Sequence, residues 1–94
     1  MIYSVIWSEK ARKDLQELDK KISNRIIAKV ESIKEQPFSY TKHLIGIPLY
    51  SLRIGEYRII MDIKNEQMLI FIIKIGHRKM YINKKIILKL RKVK

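Results

Sequence analysis

One short segment constrains the fold more than any other part of this 94-residue chain. Residues 50–63 form two runs in which apolar and polar side chains tend to alternate, separated only by Gly55 and Glu56. A two-residue connection that begins with glycine is typical of a type II′ turn, whose twist matches the strands it joins. The segment therefore predicts a β-hairpin with a register that the turn determines.

This register sets two arginines side by side. Arg53 lies directly opposite Arg58 in such a hairpin, and the other facing pairs are Ile54 with Tyr57, Leu52 with Ile59, and Ser51 with Ile60. Like charges that face each other directly destabilise a sheet. The pairing indicates either that an anion sits between the two guanidinium groups or that each arginine points away into solvent.

The composition is that of a folded and strongly basic domain. Hydrophobic residues make up 47% of the chain and charged residues 32%, a balance that argues against disorder. The formal net charge is +12, and most of this excess lies in residues 37–94. A field this positive favours polyanionic partners: nucleic acid, an acidic protein or an anionic membrane.

Several classes of protein are excluded by what the sequence lacks. There is no cysteine, so neither a disulfide framework nor a thiolate metal site is possible. The longest apolar run, residues 68–73, is too short to span a bilayer, and the first residues do not form a signal peptide. We therefore expect a cytoplasmic protein with no membrane partner, no metal and no small-molecule cofactor.

The first part of the chain predicts one strand and two helices. Residues 2–7 are a β-prone run. Two stretches with apolar residues at helical spacing follow, and Ser8 and Asp19 are candidate N-caps for them. Pro37 ends the second helix, since the residue before a proline resists the helical conformation. We expect a helical hairpin with both apolar stripes on one side of a sheet.

The second part of the chain, from residue 37 onward, is predicted to form three strands and a helix. Residues 37–48 indicate a connecting loop before the hairpin. Residues 68–75, almost continuously apolar, predict a central strand that ends at Gly76. Residues 82–94 predict a basic amphipathic helix. The expected fold is one α+β domain over residues 1–94, with an antiparallel-rich sheet of about four strands packed by an N-terminal helical hairpin, in the order β-α-α-β-β-β-(α).

A second group of polar side chains follows the apolar strand. His77, Arg78 and Tyr81 supply an imidazole, a guanidinium and a phenol within a few positions. If this strand lies beside the one that carries Arg58, then Arg78 joins the arginine pair around one concavity. The alternative is that Arg78 and Lys79 are solvated loop charges and that Tyr81 is a core aromatic.

Three arginines and a tyrosine suit the metal-free cleavage of RNA. The 2′-hydroxyl attacks the neighbouring phosphate, and fixed guanidinium groups stabilise the extra negative charge of the phosphorane. Either Tyr81 or His77 can take the 2′-hydroxyl proton, and the sequence leaves the choice open. Scattered acidic residues argue against a two-metal nuclease.

Two segments together resemble the RelE/ParE toxin superfamily, the small basic toxins of bacterial and archaeal toxin–antitoxin pairs. They are residues 52–60, Leu-Arg-Ile-Gly-Glu-Tyr-Arg-Ile-Ile, and residues 75–81, Ile-Gly-His-Arg-Lys-Met-Tyr. The resemblance implies a ribosome-dependent endoribonuclease that cleaves mRNA in the A site, contacts 16S rRNA and inhibits translation during stress. It also implies a cognate antitoxin that neutralises the toxin.

Position by position, the resemblance assigns catalysis to Arg53, Arg58, Arg78 and Tyr81. We expect Ser51, His77 and Lys79 to bind RNA beside them. Some RelE members have a lysine where this chain has Ser51, which leaves the acid–base assignment open. The ParE branch shares the fold but poisons DNA gyrase, and a non-catalytic RNA-binding module is a third alternative. The arginine and tyrosine that follow His77 favour the RNase branch.

Overall fold

The computed structural model describes residues 2–77. Over this range the elements are β1 Ser4–Trp7, α1 Glu9–Gln16, α2 Lys20–Ser32, α3 Pro37–Tyr40, β2 Lys42–His43, β3 Tyr50–Ile54, β4 Tyr57–Lys64 and β5 Leu69–His77. The strands form one sheet in the order β1-β5-β4-β3-β2, in which β1 and β5 run parallel and the other pairs antiparallel. The α+β class is confirmed, while the helix predicted at 82–94 lies outside the described residues.

Both long helices begin at the caps that the sequence predicts. The Ser8 hydroxyl accepts a hydrogen bond from the Ala11 backbone N–H at 3.0 Å, and the Asp19 carboxylate accepts one from the Lys21 N–H at 3.1 Å. These bonds satisfy N–H groups that have no partner inside the helix. Within residues 2–77 no helix is both long and apolar enough to cross a membrane.

The segment before the hairpin contains a helix and a strand where the sequence predicts only a connecting loop. α2 ends at Ser32 rather than at Pro37, because the next residues close tighter turns with hydrogen bonds three residues back. Pro37 instead opens the one-turn helix α3, at a position where its missing N–H is not needed. β2 then pairs with β3 at two positions. The described sheet therefore has five strands rather than about four.

The main core lies between the helices and one face of the sheet, as the predicted helical hairpin requires. Its buried side chains come from both long helices and from alternate positions of the long strands, and they include Ala11, Ile26, Val30, Leu52, Ile59, Met61, Ile70 and Ile72. Burying a side chain of this size contributes about 1.5–3 kcal/mol. A smaller cluster covers part of the opposite face, where Ile47 and Leu49 pack with Ile60.

β5 is an interior strand between β1 and β4, as its apolar sequence predicts. A bulge sets two of its residues, Ile73 and Lys74, against Ile60 of β4. The prediction that Gly76 ends the strand is wrong. Gly76 pairs with Arg58 and the strand continues to the next residue, because β4 still offers a partner there.

Asp14 takes the place of a neighbouring strand beside the second half of β5. β1 pairs with β5 only as far as Ile72. Beyond that point the Asp14 carboxylate accepts a hydrogen bond from the buried Ile75 backbone N–H at 2.9 Å, and the Ser8 hydroxyl donates to the Ile73 carbonyl at 2.7 Å. The first helix and its cap thus satisfy the backbone of β5 where the ladder stops.

We expect Asp14→Ala to lower the free energy of unfolding by about 1–3 kcal/mol, because it leaves the Ile75 N–H without its partner. Urea unfolding of the purified protein measures the change. Lys10→Ala is the matched control, since it removes only the partly exposed ion pair between Lys10 and Asp14, which is worth about 0.3–0.5 kcal/mol. Equal losses in the two variants would contradict the role given to Asp14.

Candidate active site

The β3–β4 hairpin has the turn and the register that the sequence predicts. Gly55 has a φ of +59°, which is the left-handed value needed at the first central position of a type II′ turn. Arg53 pairs directly with Arg58 across the hairpin, and the neighbouring pairs also match the prediction. The two like charges are therefore set side by side by the backbone.

Both arginines lie on the sheet face opposite the helices. Their strand neighbours Leu52, Ile54 and Ile59 belong to the main core, and side chains alternate between the two faces along a strand. Ser51 and Lys74 belong to the next row of this face, on either side of Ile60. Ser51, which is predicted to bind RNA, is only 4% exposed.

The guanidinium of Arg58 has a polar atom that no other residue of the described range 2–77 satisfies. Its Nε is buried and has no hydrogen-bond partner within residues 2–77. A buried donor without a partner costs about 1–3 kcal/mol, and the facing charge of the exposed Arg53 adds to this cost. An anion that accepts from Arg58 and contacts Arg53 would remove both penalties. The geometry of guanidinium groups matches the oxygens of a phosphate.

The structure does not bring His77 to this arginine pair. His77 faces Tyr57 across the sheet, and Tyr57 packs against the main core, so His77 lies on the helix side. The two rings meet edge to face with centroids 5.5 Å apart, and His77 Nε2 is 3.3 Å from Glu56 Oε1. The imidazole is thus engaged on the face away from Arg53 and Arg58.

The bulge in β5 is the reason for this placement. Strict alternation from the core residues Ile70 and Ile72 would put His77 on the same face as Arg58. The extra residue at the bulge reverses the alternation. Ile75 and His77 therefore lie on the helix side, and Gly76 lies on the same face as its partner Arg58.

Three further residues predicted for the site, Arg78, Lys79 and Tyr81, lie outside the described residues. The connectivity alone relates them to the arginine pair, because Gly76 pairs with Arg58 and precedes Arg78 by two positions. Within residues 2–77, no three His, Asp or Glu side chains come together as a metal site would require.

Sequence reasoning missed a basic groove beside the pair. The groove lies between α2 and the end of β3, has a volume of about 460 Å³, and is lined by Arg25 and Lys29 together with Arg53. The spacing of Arg25 and Lys29, four residues apart on one helix, is the signal that could have indicated a shared face. The position of that face beside Arg53 depends on tertiary packing.

We expect Arg58→Met to raise the free energy of unfolding by about 1 kcal/mol, because methionine keeps an aliphatic stem but removes the unsatisfied Nε and the facing charge. Urea unfolding measures the change, with Arg12→Met on the exposed surface of α1 as the control. A destabilised Arg58→Met variant beside an unchanged control would contradict the strained environment assigned to Arg58.

Comparison with known proteins defines the class of protein to which this fold and site belong. The chain is a toxin of a type II toxin–antitoxin system, in the RelE/ParE superfamily. Residues 5–82 match the family model for the ParE toxin of the type II toxin–antitoxin system, parDE. The match covers most of the chain, and the protein belongs to this family. No curated protein sequence matches it.

Solved structures of RelE complexes share the fold. A chain of the RelBE2 toxin–antitoxin complex from Mycobacterium tuberculosis matches with a TM-score of 0.77 and 26% identity, over 83% of this chain and 100% of the other. The archaeal RelE–RelB complex from Pyrococcus horikoshii gives a TM-score of 0.73 and 27% identity, over 83% and 97%. The intact E. coli RelBE complex, at 24% identity and a TM-score of 0.70 over 80% and 95%, shows the same fold.

Proposed function

We propose that this toxin is an endoribonuclease that cleaves mRNA in the A site of the ribosome and thereby inhibits translation. The pair Arg53 and Arg58 carries the proposal, because a phosphate is the anion that their facing geometry and the unsatisfied Arg58 Nε suit best. Addition of the 2′-oxygen makes this phosphate more negative. Fixed guanidinium groups then bind the transition state more strongly than the ground state.

The proposed reaction needs no metal. The 2′-oxygen forms a bond to phosphorus, and the bond from phosphorus to the 5′-oxygen breaks. Tyr81 takes the proton of the 2′-hydroxyl, and a second group of the site delivers a proton to the leaving 5′-oxygen. The products are a 2′,3′-cyclic phosphate and a free 5′-hydroxyl. His77 is not given the role of base, because it is engaged with Glu56 and Tyr57 on the other face.

Arg78 and Lys79 are proposed to complete the site, because they follow directly on the strand next to the hairpin in the sequence. Gly76 faces Arg58, so two further residues of chain are enough to carry the Arg78 guanidinium toward the same phosphate. Lys79 is proposed to hold the RNA backbone beside it, as a point charge without the fork of an arginine.

A cognate antitoxin is the proposed protein partner, because the solved relatives include complexes of RelE with RelB. The net charge of +12 favours a partner with an acidic segment. We propose that this antitoxin either covers the arginine pair or displaces residues 82–94. The site of action is then the cytoplasm, where the toxin meets both the ribosome and its antitoxin.

The family match favours a second candidate function, the poisoning of DNA gyrase that is implied by resemblance to the ParE branch. The two candidate functions predict damage to different molecules. An RNase cuts mRNA on translating ribosomes and leaves DNA intact, whereas a gyrase poison accumulates gyrase-dependent DNA breaks and leaves mRNA intact. Binding of RNA without either kind of damage would point to a non-catalytic module.

We expect Arg58→Ala to lower the rate of mRNA cleavage by about 10²–10³-fold, because it removes a donor aimed at the developing charge. Primer extension on mRNA from programmed ribosomes measures the rate. Arg58→Lys is expected to lose most of the activity as well, since an ammonium has no Nε donor and no planar fork. Arg12→Ala, with the same change in charge on α1, serves as the control.

Cleavage at the control rate by Arg58→Ala would contradict the proposed site. Gyrase-dependent DNA breaks with intact mRNA would show that the toxin poisons gyrase and is not an RNase. Urea unfolding of each variant separates a loss of chemistry from a loss of fold.

We expect one 2′-deoxynucleotide on the 5′ side of the scissile phosphate to abolish cleavage at that bond, because the internal nucleophile is missing. The experiment uses a short mRNA with this single change on programmed ribosomes, and the unchanged mRNA is its control. The products of the control are expected to end in a 2′,3′-cyclic phosphate, which mass spectrometry identifies. Undiminished cutting at the deoxy position would show that water or a protein group attacks instead.

A further inference from the structure

The groove between α2 and the end of β3, hereafter the α2 groove, adjoins the arginine pair through a shared residue. Arg53 lines this groove of about 460 Å³ together with Arg25, Lys29, Ser32 and Gly55. β2 pairs with β3 only at residues 50 and 51, so among the described strands Arg53 has no neighbour on that side of the sheet. One ligand strand can therefore contact both the arginine pair and the α2 groove.

The α2 groove has a positively charged lining without a counter-ion from the described part of the chain. Its lining contains three cations, Arg25, Lys29 and Arg53, and no carboxylate. None of these cations forms an ion pair within residues 2–77. Arg25 and Lys29 are four residues apart on α2, a spacing at which like charges destabilise a helix. An anion in the groove would offset this repulsion.

The Arg25 guanidinium is located close to the hairpin turn. Its Nη1 lies 3.5 Å from the position that a Cβ would take on Gly55, and its Nη2 lies 3.7 Å from that position. The guanidinium therefore lies beside the turn that separates Arg53 from Arg58. This proximity brings the charge of α2 to the same end of the hairpin as the arginine pair.

An exposed aromatic ring extends the α2 groove on the side of α3. Lys29 Nζ lies 5.6 Å from the centre of the Tyr40 ring, and Tyr40 is 57% exposed. Cations that follow a backbone, with an aromatic ring on which a base stacks, are typical of proteins that bind single-stranded nucleic acid. An acidic protein segment would use the cations but has no need of the ring.

We propose that the α2 groove and Tyr40 form a second binding site for single-stranded RNA, in which Arg25 and Lys29 contact backbone phosphates and Tyr40 stacks on a base. The site holds the strand whose scissile phosphate lies between Arg53 and Arg58. The proposal rests on the proposed function in taking RNA as the ligand. It adds Arg25, Lys29 and Tyr40 as residues that determine affinity without touching the reacting atoms.

The test measures binding of a fluorescein-labelled 2′-O-methyl oligoribonucleotide, which the toxin cannot cleave, over a series of salt concentrations. Each phosphate contact contributes about 0.7 to the slope of log K against log salt for a single strand. The double variant Arg25→Gln, Lys29→Gln is therefore expected to lower the slope by about 1.4. The control is Arg12→Gln, Lys13→Gln on α1, which removes the same two charge types.

Tyr40 is tested by a pair of variants. Tyr40→Ala is expected to weaken binding by about 5- to 150-fold, the range for loss of one base–aromatic stack, while Tyr40→Phe keeps the ring and binds like the wild type. In the ribosome assay the double variant of the groove is expected to raise KM with kcat unchanged, because Arg25 and Lys29 are proposed to contact other phosphates than the scissile one.

Other outcomes overturn the proposal in distinguishable ways. If the groove variant matches the α1 control while Arg58→Ala still loses cleavage, the groove has no role and the proposed function stands. If poly-L-glutamate of equal charge displaces the RNA as well as polyuridylate does, and Tyr40→Ala has no effect, the groove binds acidic protein rather than RNA. If the wild type neither binds the oligonucleotide nor cleaves mRNA, the proposed function and this proposal both fail.

Discussion

The direct pairing of Arg53 with Arg58 across a tight turn is the constraint on which the account of this protein depends. The pair is unfavourable by itself, because facing like charges destabilise a sheet and because the Arg58 Nε, which has no hydrogen-bond partner within residues 2–77, costs about 1–3 kcal/mol. The same hairpin buries Leu52 and Ile59 on its other face, at about 1.5–3 kcal/mol each. Core burial therefore exceeds the penalty and holds the arginines in place.

One face of the sheet carries the main core that stabilises the fold, and the other face carries the candidate active site. Both long helices pack on one face and enclose the main core, while the arginine pair lies on the other. Substitutions on the helix side act on the free energy of unfolding, whereas the exposed Arg53 can change with little loss of packing. A site of this kind is retained at some expense of stability, which is common where function needs unpaired charge.

Local chemistry accounts for the features that the sequence predicts correctly. The glycine of the turn determines the register of the hairpin, and Ser8 and Asp19 mark the helix starts through bonds made within three residues. β2 and α3 were not predicted, because a strand of two residues and a helix of one turn are stable only against the rest of the fold. The strand beyond Gly76 depends in the same way on its ladder with β4.

The candidate site contains two features that the sequence does not predict. The turn alone predicts Arg53 opposite Arg58, whereas His77 is predicted for the same site because the strand is expected to end at Gly76, and nothing in the apolar run indicates the bulge. One extra residue at Ile73 sends His77 to the helix side. The basic α2 groove was missed for a related reason, since the helix face that carries Arg25 and Lys29 meets Arg53 only through packing.

The most direct measurement is a crystal structure of the toxin with a bound 2′-O-methyl oligoribonucleotide. One backbone phosphate is expected between Arg53 and Arg58, with an oxygen about 2.8 Å from the Arg58 Nε, which has no acceptor within residues 2–77. RNA bound elsewhere, with the Arg58 Nε still lacking an acceptor and no phosphate near Arg53, would contradict this expectation.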